Sequence, residues 1–292
     1  MMNRKTVLSI LTGLGLSLLL HGCSQTSAKS PANLTDSGLS NANELKGKLV
    51  VTGSSTVAPL VGELAKAFEV QHPEVRIDVQ TGGSSRGIAD ARQGLADIGM
   101  VSRALKAEES DLHGVAIARD GISVIVHRDN PVDELSIQHI EAIYTGAITN
   151  WDQVGGTSAP ITVVNKADGR STLELFLKFF ELEPTDIKAQ VIIGDNEQGI
   201  KTVAGNPNAI GYVSIGAAEF SIDSGEAIQL LPIDGIPAST KTVQDGTFPL
   251  SRVLTLVTAT TPEGLSQRFI EFTQSAEVND AIKAQNFVPI SP

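Results

Sequence analysis

The sequence has a single cysteine, few aromatic residues and no spaced pattern of metal ligands. Its only cysteine is Cys23, so an internal disulfide is excluded. Aromatic residues make up 4% of the chain, which disfavours a pocket lined by aromatic rings for a sugar or a large apolar ligand. Because neither zinc-type cysteine and histidine spacing nor an aspartate-rich calcium loop is present, we expect no metal and no cofactor.

Basic residues are also scarce. The chain has 22 lysines and arginines against 33 acids, a formal charge of −11. Binding to nucleic acid requires clustered Lys and Arg that displace counterions from phosphates, so this acidity argues against nucleic acid as a partner. It does not exclude a small anion, because nearby donors govern a buried site and distant surface charge is screened over about 8–10 Å.

The apolar run near the N-terminus is too short to span a membrane comfortably. It extends from Val7 to Leu20, follows Arg4 and Lys5, and is succeeded by the small residue Gly22. These features are typical of a secretory leader, so we predict a signal peptide over residues 1–22. Its removal would take the formal charge from −11 to −13, because the segment carries two basic residues and no acid.

Cys23, directly after Gly22, resembles the lipidated cysteine of bacterial lipoproteins. Residues 23–46 contain almost no large apolar side chains and cannot offset the entropy of ordering by burial, so we predict a flexible tether there. The protein is then expected in the periplasm or on the cell surface, held to a membrane only by lipid on Cys23.

The rest of the chain alternates between strand and helix patterns. This alternation predicts an α/β fold with a largely parallel sheet. The clearest strand patterns lie at 48–52, 75–81, 97–101, 122–126, 161–164 and 252–259, and helix patterns at 57–70, 88–95, after Ser136, around 173–180 and from Pro262.

Three junctions between a strand and a helix carry the same chemistry. Residues 53–56 (GSST), 82–85 (GGSS) and 169–172 (GRST) each place glycine and hydroxyl side chains where a helix begins. A helix start offers unpaired N–H groups and the positive end of the macrodipole, and hydroxyls add uncharged donors. If the three junctions converge at the ends of the strands, they form a site for a small oxyanion.

Two other interpretations of these junctions stay open. Serine and threonine are preferred N-caps, so each junction alone could be an ordinary helix cap. Residues 83–87 (GSSRG) also match the nucleophile elbow of α/β-hydrolases, with Ser85 as the nucleophile. No histidine stands in a setting that marks it as the base, although His127 and His139 follow in the right chain order, so we expect no enzyme.

The sequence resembles the phosphate-binding lipoproteins of Pst-type ABC transporters. The segments that carry the likeness are KLVVTGSSTVAPL, GGSSRGI, GLADIGMVSRAL, DGISVIV, IEAIYTGAITNWDQVGG, NKADGRSTLELF, IGYVS and PLSRVLTLVT, in the order of the family, from about Gly47 to Pro289. The resemblance implies the type II periplasmic-binding-protein fold, with two α/β lobes joined by two crossing strands and a ligand cleft between them. The implied lobes are 47–126 with 251–292, and 127–250.

The resemblance also implies a set of ligand-binding residues. Thr56 would offer its hydroxyl and Val57 its backbone N–H, with Ser55 nearby. Ser84 would donate from the second junction. The third junction would contribute Arg170, Ser171 and Thr172.

This chain departs from the family pattern at two places. Where members commonly carry G-S-G-T, it has Gly169-Arg170-Ser171-Thr172, and the usual upstream arginine is matched by Lys166. We therefore expect Arg170 to supply the cation as a bidentate donor, with Lys166 as the alternative. The carboxylate by which the best known members reject sulfate is matched by Ser102. Asp120 is a candidate substitute acceptor.

We therefore expect a binding protein that captures inorganic phosphate between its lobes and delivers it, as a monomer, to the permease subunits of an ABC transporter. A receptor for sulfate or molybdate, and a phosphate sensor without a transport role, are the alternatives that the sequence leaves open.

Overall fold

The computed structural model describes residues 45–290. The expected signal peptide, the lipidated Cys23 and all of the tether before Leu45 lie outside these residues and stay predictions. Over the described range, none of the helices combines the length and the apolar character needed to cross a bilayer.

The secondary structure alternates as the sequence predicts. The strands are β1 (Lys46–Gly53), β2 (Glu74–Thr81), β3 (Ile98–Val101), β4 (His113–His127), β5 (Thr162–Lys166), β6 (Val191–Ile193), β7 (Ala209–Ser214), β8 (Ile228–Leu230), β9 (Ser251–Thr258) and β10 (Val288–Pro289). The helices are α1 (Ala58–Gln71), α2 (Ser84–Arg92), α3 (Ile137–Tyr144), α4 (Ser171–Phe179), α5 (Asn196–Ala204), α6 (Ile215–Asp223), α7 (Thr240–Gln244), α8 (Gly264–Thr273) and α9 (Asn279–Ala284). Short 3-10 helices lie at Ala107–Glu109, Trp151–Val154, Pro184–Asp186 and Ala276–Val278.

The α/β class is confirmed, but the sheet is mixed. Eight strands follow the order β2-β1-β3-β9-β4-β7-β5-β6, with β8 and β10 paired to β4 outside this path. Parallel pairs occur at the two ends, where β1 pairs with β2 and β3, and β5 pairs with β6 and β7. In the middle, β9 and β4 run antiparallel to their neighbours. The prediction of a largely parallel sheet is therefore right only within each half, because local periodicity does not determine strand direction.

Side chains of the long strand β4 contribute to three hydrophobic clusters. The residues His113–Gly121 pair with β9, whereas Ile122–Val126 pair with β7. Side chains before this change of partner pack with α1, α8 and β9. After it, Ile122, Val124 and Val126 pack with α3, α4 and β7, whereas Ile125 packs with α5 and α6. The two-lobed fold is thus built on one continuous sheet. The exact lobe limits of 47–126 with 251–292, and 127–250, stay a prediction.

Two predicted helix starts are displaced. The helix expected from residue 88 begins four residues earlier, at Ser84. The helix expected from Pro262 begins at Gly264, with Glu263 as its N-cap residue. The first shift matters for the site, because it places Ser84 in the first position of α2.

Candidate functional site

The three predicted junctions differ from ordinary capped helix starts. In α3, α5, α6 and α7 the side chain of the N-cap residue accepts a backbone N–H bond. The N-cap residues of α1, α2 and α4 are Val57, Gly83 and Arg170, and none of them makes such a bond. At α1, the preceding Ser54 accepts from the N–H groups of Thr56 and Val57 instead. The other hydroxyls at the three junctions are therefore left for another role.

Arg252 in β9 donates hydrogen bonds to three hydroxyl oxygens that lie far apart in the chain. Its Nη1 donates to Thr172 Oγ1 at 2.9 Å and to Ser102 Oγ at 3.3 Å, and its Nη2 donates to Thr56 Oγ1 at 3.3 Å. Thr56 and Ser102 belong to the first lobe and Thr172 to the second. The side chain of Arg252 is 1% exposed, so this convergence lies in the interior between the lobes.

Asp120 neutralises the charge of Arg252. The two residues stand directly opposite each other in the antiparallel pairing of β4 and β9. Asp120 Oδ2 accepts from Arg252 Nε at 3.0 Å and from Nη2 at 2.7 Å, while Oδ1 accepts from the backbone N–H of Gly216 at 3.2 Å. Removing one partner of such a buried ion pair typically lowers the free energy of unfolding by about 3–5 kcal/mol. The two hydrogen bonds to Asp120 hold the guanidinium in place.

Lys166, at the end of β5, is a second buried cation of the cluster. Its Nζ donates to Asn196 Oδ1 at 2.9 Å, and Asn196 Nδ2 donates to Thr56 Oγ1 at 3.0 Å. No ion pair to Lys166 occurs within residues 45–290. Burial, and then repulsion by Arg252, lower the pKa of Lys166 to about 7, against a smaller opposing effect of Asp195. A charged ammonium has three donors, so two N–H groups of Lys166 have no acceptor among the residues that the structure describes.

Most hydroxyls of the cluster accept hydrogen bonds from the protein and keep their own hydrogens free. Thr56 Oγ1 accepts from Arg252 and Asn196, and Ser84 Oγ accepts from the N–H of Ser102. A hydroxyl has one donor beside its two lone pairs. Ser171 Oγ is buried and has no hydrogen-bond partner in the described part of the chain. The cluster can therefore donate several hydrogen bonds to one ligand that is rich in acceptors.

Three predicted site residues lie at the edge of the cluster. Val57 directs its N–H towards Ser54 Oγ at 3.4 Å. Ser55 lines a neighbouring cavity of about 530 Å³, together with Thr56 and Asn196. Arg170 is half-buried, close to Gly83 and Gly194, and within residues 45–290 its guanidinium makes neither a hydrogen bond nor an ion pair. The structure thus brings together Thr56, Ser84, Ser102, Asp120, Ser171 and Thr172, and leaves Ser55, Val57 and Arg170 around them.

Nothing in the described part of the chain supports the hydrolase interpretation. Ser85 is exposed, and its backbone N–H donates to the carbonyl of Gly169 at 3.2 Å. His127 uses Nδ1 to accept from the N–H of Asp129, and His139 is exposed on α3. Residues 45–290 also contain no group of three or more His, Cys, Asp or Glu side chains that could hold a metal ion.

Sequence reasoning missed Arg252 and Asn196. Arg252 lies in the strand pattern at 252–259, which gives no sign of a site. The sequence patterns predict no helix at Asn196, where α5 begins. One local signal was available for Asn196, since Asp195 caps α5 by accepting from the N–H of Gln198. No local signal identifies Arg252, because its partners lie between 80 and 196 residues away in the chain.

Comparison with known proteins agrees with this architecture. A family model described as a PBP superfamily domain matches residues 31–277. The phosphate-binding protein PstS of Bacillus subtilis is 29% identical to this chain, over 94% of this chain and 93% of its own length. The protein of the same name from Staphylococcus epidermidis is 30% identical, over 83% of this chain and 75% of its own length.

Solved structures give the same result. A putative phosphate ABC transporter substrate-binding protein from Clostridium perfringens, with bound phosphate, is 33% identical with a TM-score of 0.77, covering 84% of this chain and all of its own. An ABC-type phosphate transport receptor from Vibrio cholerae is 29% identical with a TM-score of 0.68, and the match covers 82% of this chain and 99% of that receptor. The chain belongs to the PBP superfamily and, within it, to the family of the phosphate-binding proteins named PstS.

Proposed function

We propose that this protein binds inorganic phosphate in the buried cluster between its lobes and delivers it to an ABC transporter. The observation that carries the proposal is the set of unused donors around Arg252: the hydroxyls of Thr56, Ser102 and Thr172 accept from its guanidinium and keep their own hydrogens free. A phosphate has four oxygens that accept hydrogen bonds, so one phosphate can accept from several of these donors. Among the described residues, these hydroxyl hydrogens have no acceptor.

The charge of the cluster supports an anionic ligand. Asp120 compensates Arg252, but Lys166 has no carboxylate in contact within the described residues. A buried charge without a partner is unfavourable, and a bound anion would compensate it. Hydrogen bonds to charged groups contribute about 1.5–3 kcal/mol each, so several of them suffice for micromolar binding, about −8 kcal/mol.

The ligand roles of individual residues are part of the proposal. Thr56, Ser84, Ser102, Ser171 and Thr172 donate from their hydroxyls. Lys166 supplies the cation, in place of Arg170, which the sequence favoured. Arg252 and Asn196 join the predicted set. Asp120 acts through Arg252, since both of its oxygens accept bonds from protein donors.

The relatives extend the proposal beyond the site. Because the family consists of binding proteins for transport, the prediction that the chain is not an enzyme is confirmed. We further propose that the protein acts as a monomer outside the cytoplasm, that lipid on Cys23 anchors it to a membrane, and that its partners are permease subunits. Fatty-acid labelling that persists in Cys23→Ser would contradict the anchor.

Isothermal titration calorimetry with phosphate tests the ligand and the site together. We expect micromolar or tighter binding, weakened by at least tenfold in Thr172→Val, because the substitution keeps the shape and removes one donor to a charged ligand. Thr185→Val is the matched control, since Thr185 is exposed in the 3-10 helix Pro184–Asp186 and takes part in none of the hydrogen bonds of the cluster. Absence of heat with the unaltered protein, or equal affinity of the two variants, would contradict the proposal.

A further inference from the structure

Arg170 is a cation without a charged partner beside the cluster. It is the N-cap residue of α4, and its side chain is half-buried. Over the described residues 45–290, its guanidinium makes neither a hydrogen bond nor an ion pair. Half-burial deprives the charge of part of its water and no carboxylate compensates it, so the position favours a role with an anion over a role in stability.

Two glycines leave the room that the side chain of Arg170 occupies. Gly83 precedes α2 in the first lobe, and Gly194 follows β6 directly in the second lobe. A Cβ atom on Gly83 would come within 2.9 Å of Arg170 Cδ, and one on Gly194 within 3.3 Å of Nη2. The side chain therefore lies against both lobes, at the seam between them.

The charge of Arg170 reaches the buried cluster. Burial lowers the pKa of Lys166 most, and repulsion by Arg252 comes second. Asp195 opposes these effects, and Arg170 adds a smaller repulsion of its own. Arg170 and Lys166 are thus two cations close enough to repel each other, and an anion between the lobes would be attracted by both.

Arg170 also sets the sign of the charge that an approaching anion meets. The charge of Arg252 is compensated by Asp120 in direct contact, and that of Lys166 is opposed by Asp195. An arginine stays charged throughout, whereas Lys166 becomes increasingly neutral above pH 7. Without Arg170 the seam would be close to neutral, in a chain whose formal charge is −11.

We propose that Arg170 draws phosphate into the cluster: at the seam between the lobes it attracts the anion and speeds association, and Lys166 and the hydroxyls then hold the bound anion. A cleft with one sign of charge raises the association rate of an opposite charge by about 10- to 1,000-fold, and salt weakens the effect. This inference rests on the proposed function, because it concerns the path to the same site.

The salt dependence of phosphate association by the unaltered protein gives the first test. At pH 8, calorimetry yields the dissociation constant, and ³¹P exchange NMR, or a chase of labelled phosphate where exchange is slow, yields the dissociation rate constant. Dividing the second by the first gives the association rate constant. We expect it to fall by at least about fivefold from 25 to 500 mM NaCl, although the net negative charge of the chain alone predicts a rise.

The possible results separate this inference from the proposed function. An association rate constant that rises with salt or stays constant would overturn the role of Arg170 and leave phosphate binding standing. If the unaltered protein binds no phosphate, the proposed function fails and the inference fails with it.

Variants at Arg170 then test the residue itself. We expect Arg170→Gln to associate at least about tenfold more slowly at 25 mM NaCl, a loss that shrinks to about threefold or less at 500 mM. Arg170→Lys should stay within about threefold of the unaltered protein, because attraction at a distance needs the charge and not the planar donor group. Arg268→Gln, which removes an exposed positive charge paired with Glu271, is the matched control and should change the rate less than about twofold.

Three results with the variants would contradict the inference. They are equal association rates of Arg170→Gln and Arg268→Gln at low salt, a loss in Arg170→Gln that persists at 500 mM NaCl, and a loss in Arg170→Lys as large as in Arg170→Gln. Should Arg170→Gln fail to fold, the salt dependence of the unaltered protein decides alone.

Discussion

At the scale of single residues, Lys166 is the most informative side chain of the site. Its ammonium is buried at the end of β5, where Tyr212 Oη accepts from its backbone N–H at 3.4 Å and Asn196 accepts from Nζ. Burial first, and repulsion by Arg252 second, lower the pKa to about 7. The side chain is therefore mostly charged below pH 7 and increasingly neutral above it.

This lowered pKa predicts a pH dependence of anion binding. Relative to Lys166→Arg, whose side chain stays charged throughout, the unaltered protein should lose affinity for phosphate between pH 7 and pH 9, by up to about tenfold per pH unit. The comparison is made by calorimetry at pH 6, 7, 8 and 9, which also cancels the titration of phosphate itself. Lys188→Arg, at an exposed lysine, is the control. Parallel pH profiles of the unaltered protein and Lys166→Arg would refute the prediction.

At the scale of elements, the starts of α2 and α4 touch across the cleft. The N–H of Ser85 donates to the carbonyl of Gly169, and Gly83 lies close to Gly169 and Arg170. A Cβ atom on Gly83 would come within 2.8 Å of Gly169 O and 2.9 Å of Arg170 Cδ. Two helix starts can share one ligand only if their backbones approach this closely, so glycine at position 83 serves the site as well as the local conformation.

The contact predicts that Gly83→Ala impairs binding. Gly94→Ala is the matched control, because both glycines have positive φ, 95° and 69°, but a Cβ at Gly94 would meet nothing within 4 Å. Gly94→Ala should lose about 1–2 kcal/mol of stability in thermal unfolding from the unfavourable φ. Gly83→Ala should lose more, because φ 95° with ψ 161° is a conformation that essentially only glycine adopts and its Cβ would also meet Gly169 O. Only Gly83→Ala should also weaken phosphate binding by tenfold or more in calorimetry. A similar affinity of the two variants would show that the close approach is unimportant for binding.

At the scale of the whole molecule, one carboxylate joins the two lobes by ion pairs. Glu174 of α4 accepts from Arg103 Nε at 3.0 Å and from Lys106 Nζ at 2.9 Å, both from the loop after β3. Arg103 is itself held by Glu109, whose pKa is lowered chiefly by this hydrogen bond. Glu174 stands two residues after Thr172, and Arg103 directly after Ser102, so the ion pairs hold the two sides of the cluster together.

We therefore expect Glu174→Gln to weaken phosphate binding, because it removes the ion pairs that hold α4 against the loop after β3. Partly exposed ion pairs contribute up to about 1 kcal/mol each, so the dissociation constant should rise by roughly threefold to tenfold at 50 mM salt. The difference should shrink at 500 mM salt, because screening weakens the ion pairs in the unaltered protein. Glu271→Gln, which breaks an exposed pair with Arg268 within one helix, is the control. Unchanged affinity of Glu174→Gln at low salt would rule out this role.

The sequence by itself determined what depends on near neighbours in the chain. It predicted the alternation of strands and helices, the buried strand at 122–126, and three helix starts with hydroxyls, because periodicity and helix-start chemistry are local properties. It also favoured a small anion, since glycine and hydroxyl side chains at a helix start have a physical meaning without any distant partner.

Only the tertiary structure decided which of these features meet. The antiparallel register of β4 and β9 sets Arg252 opposite Asp120 and directs it to Ser102, Thr56 and Thr172. Likewise, the burial that lowers the pKa of Lys166 comes from the fold around it. Strand direction, register and burial depend on contacts between residues far apart in the chain, so local sequence patterns do not encode the centre of the site.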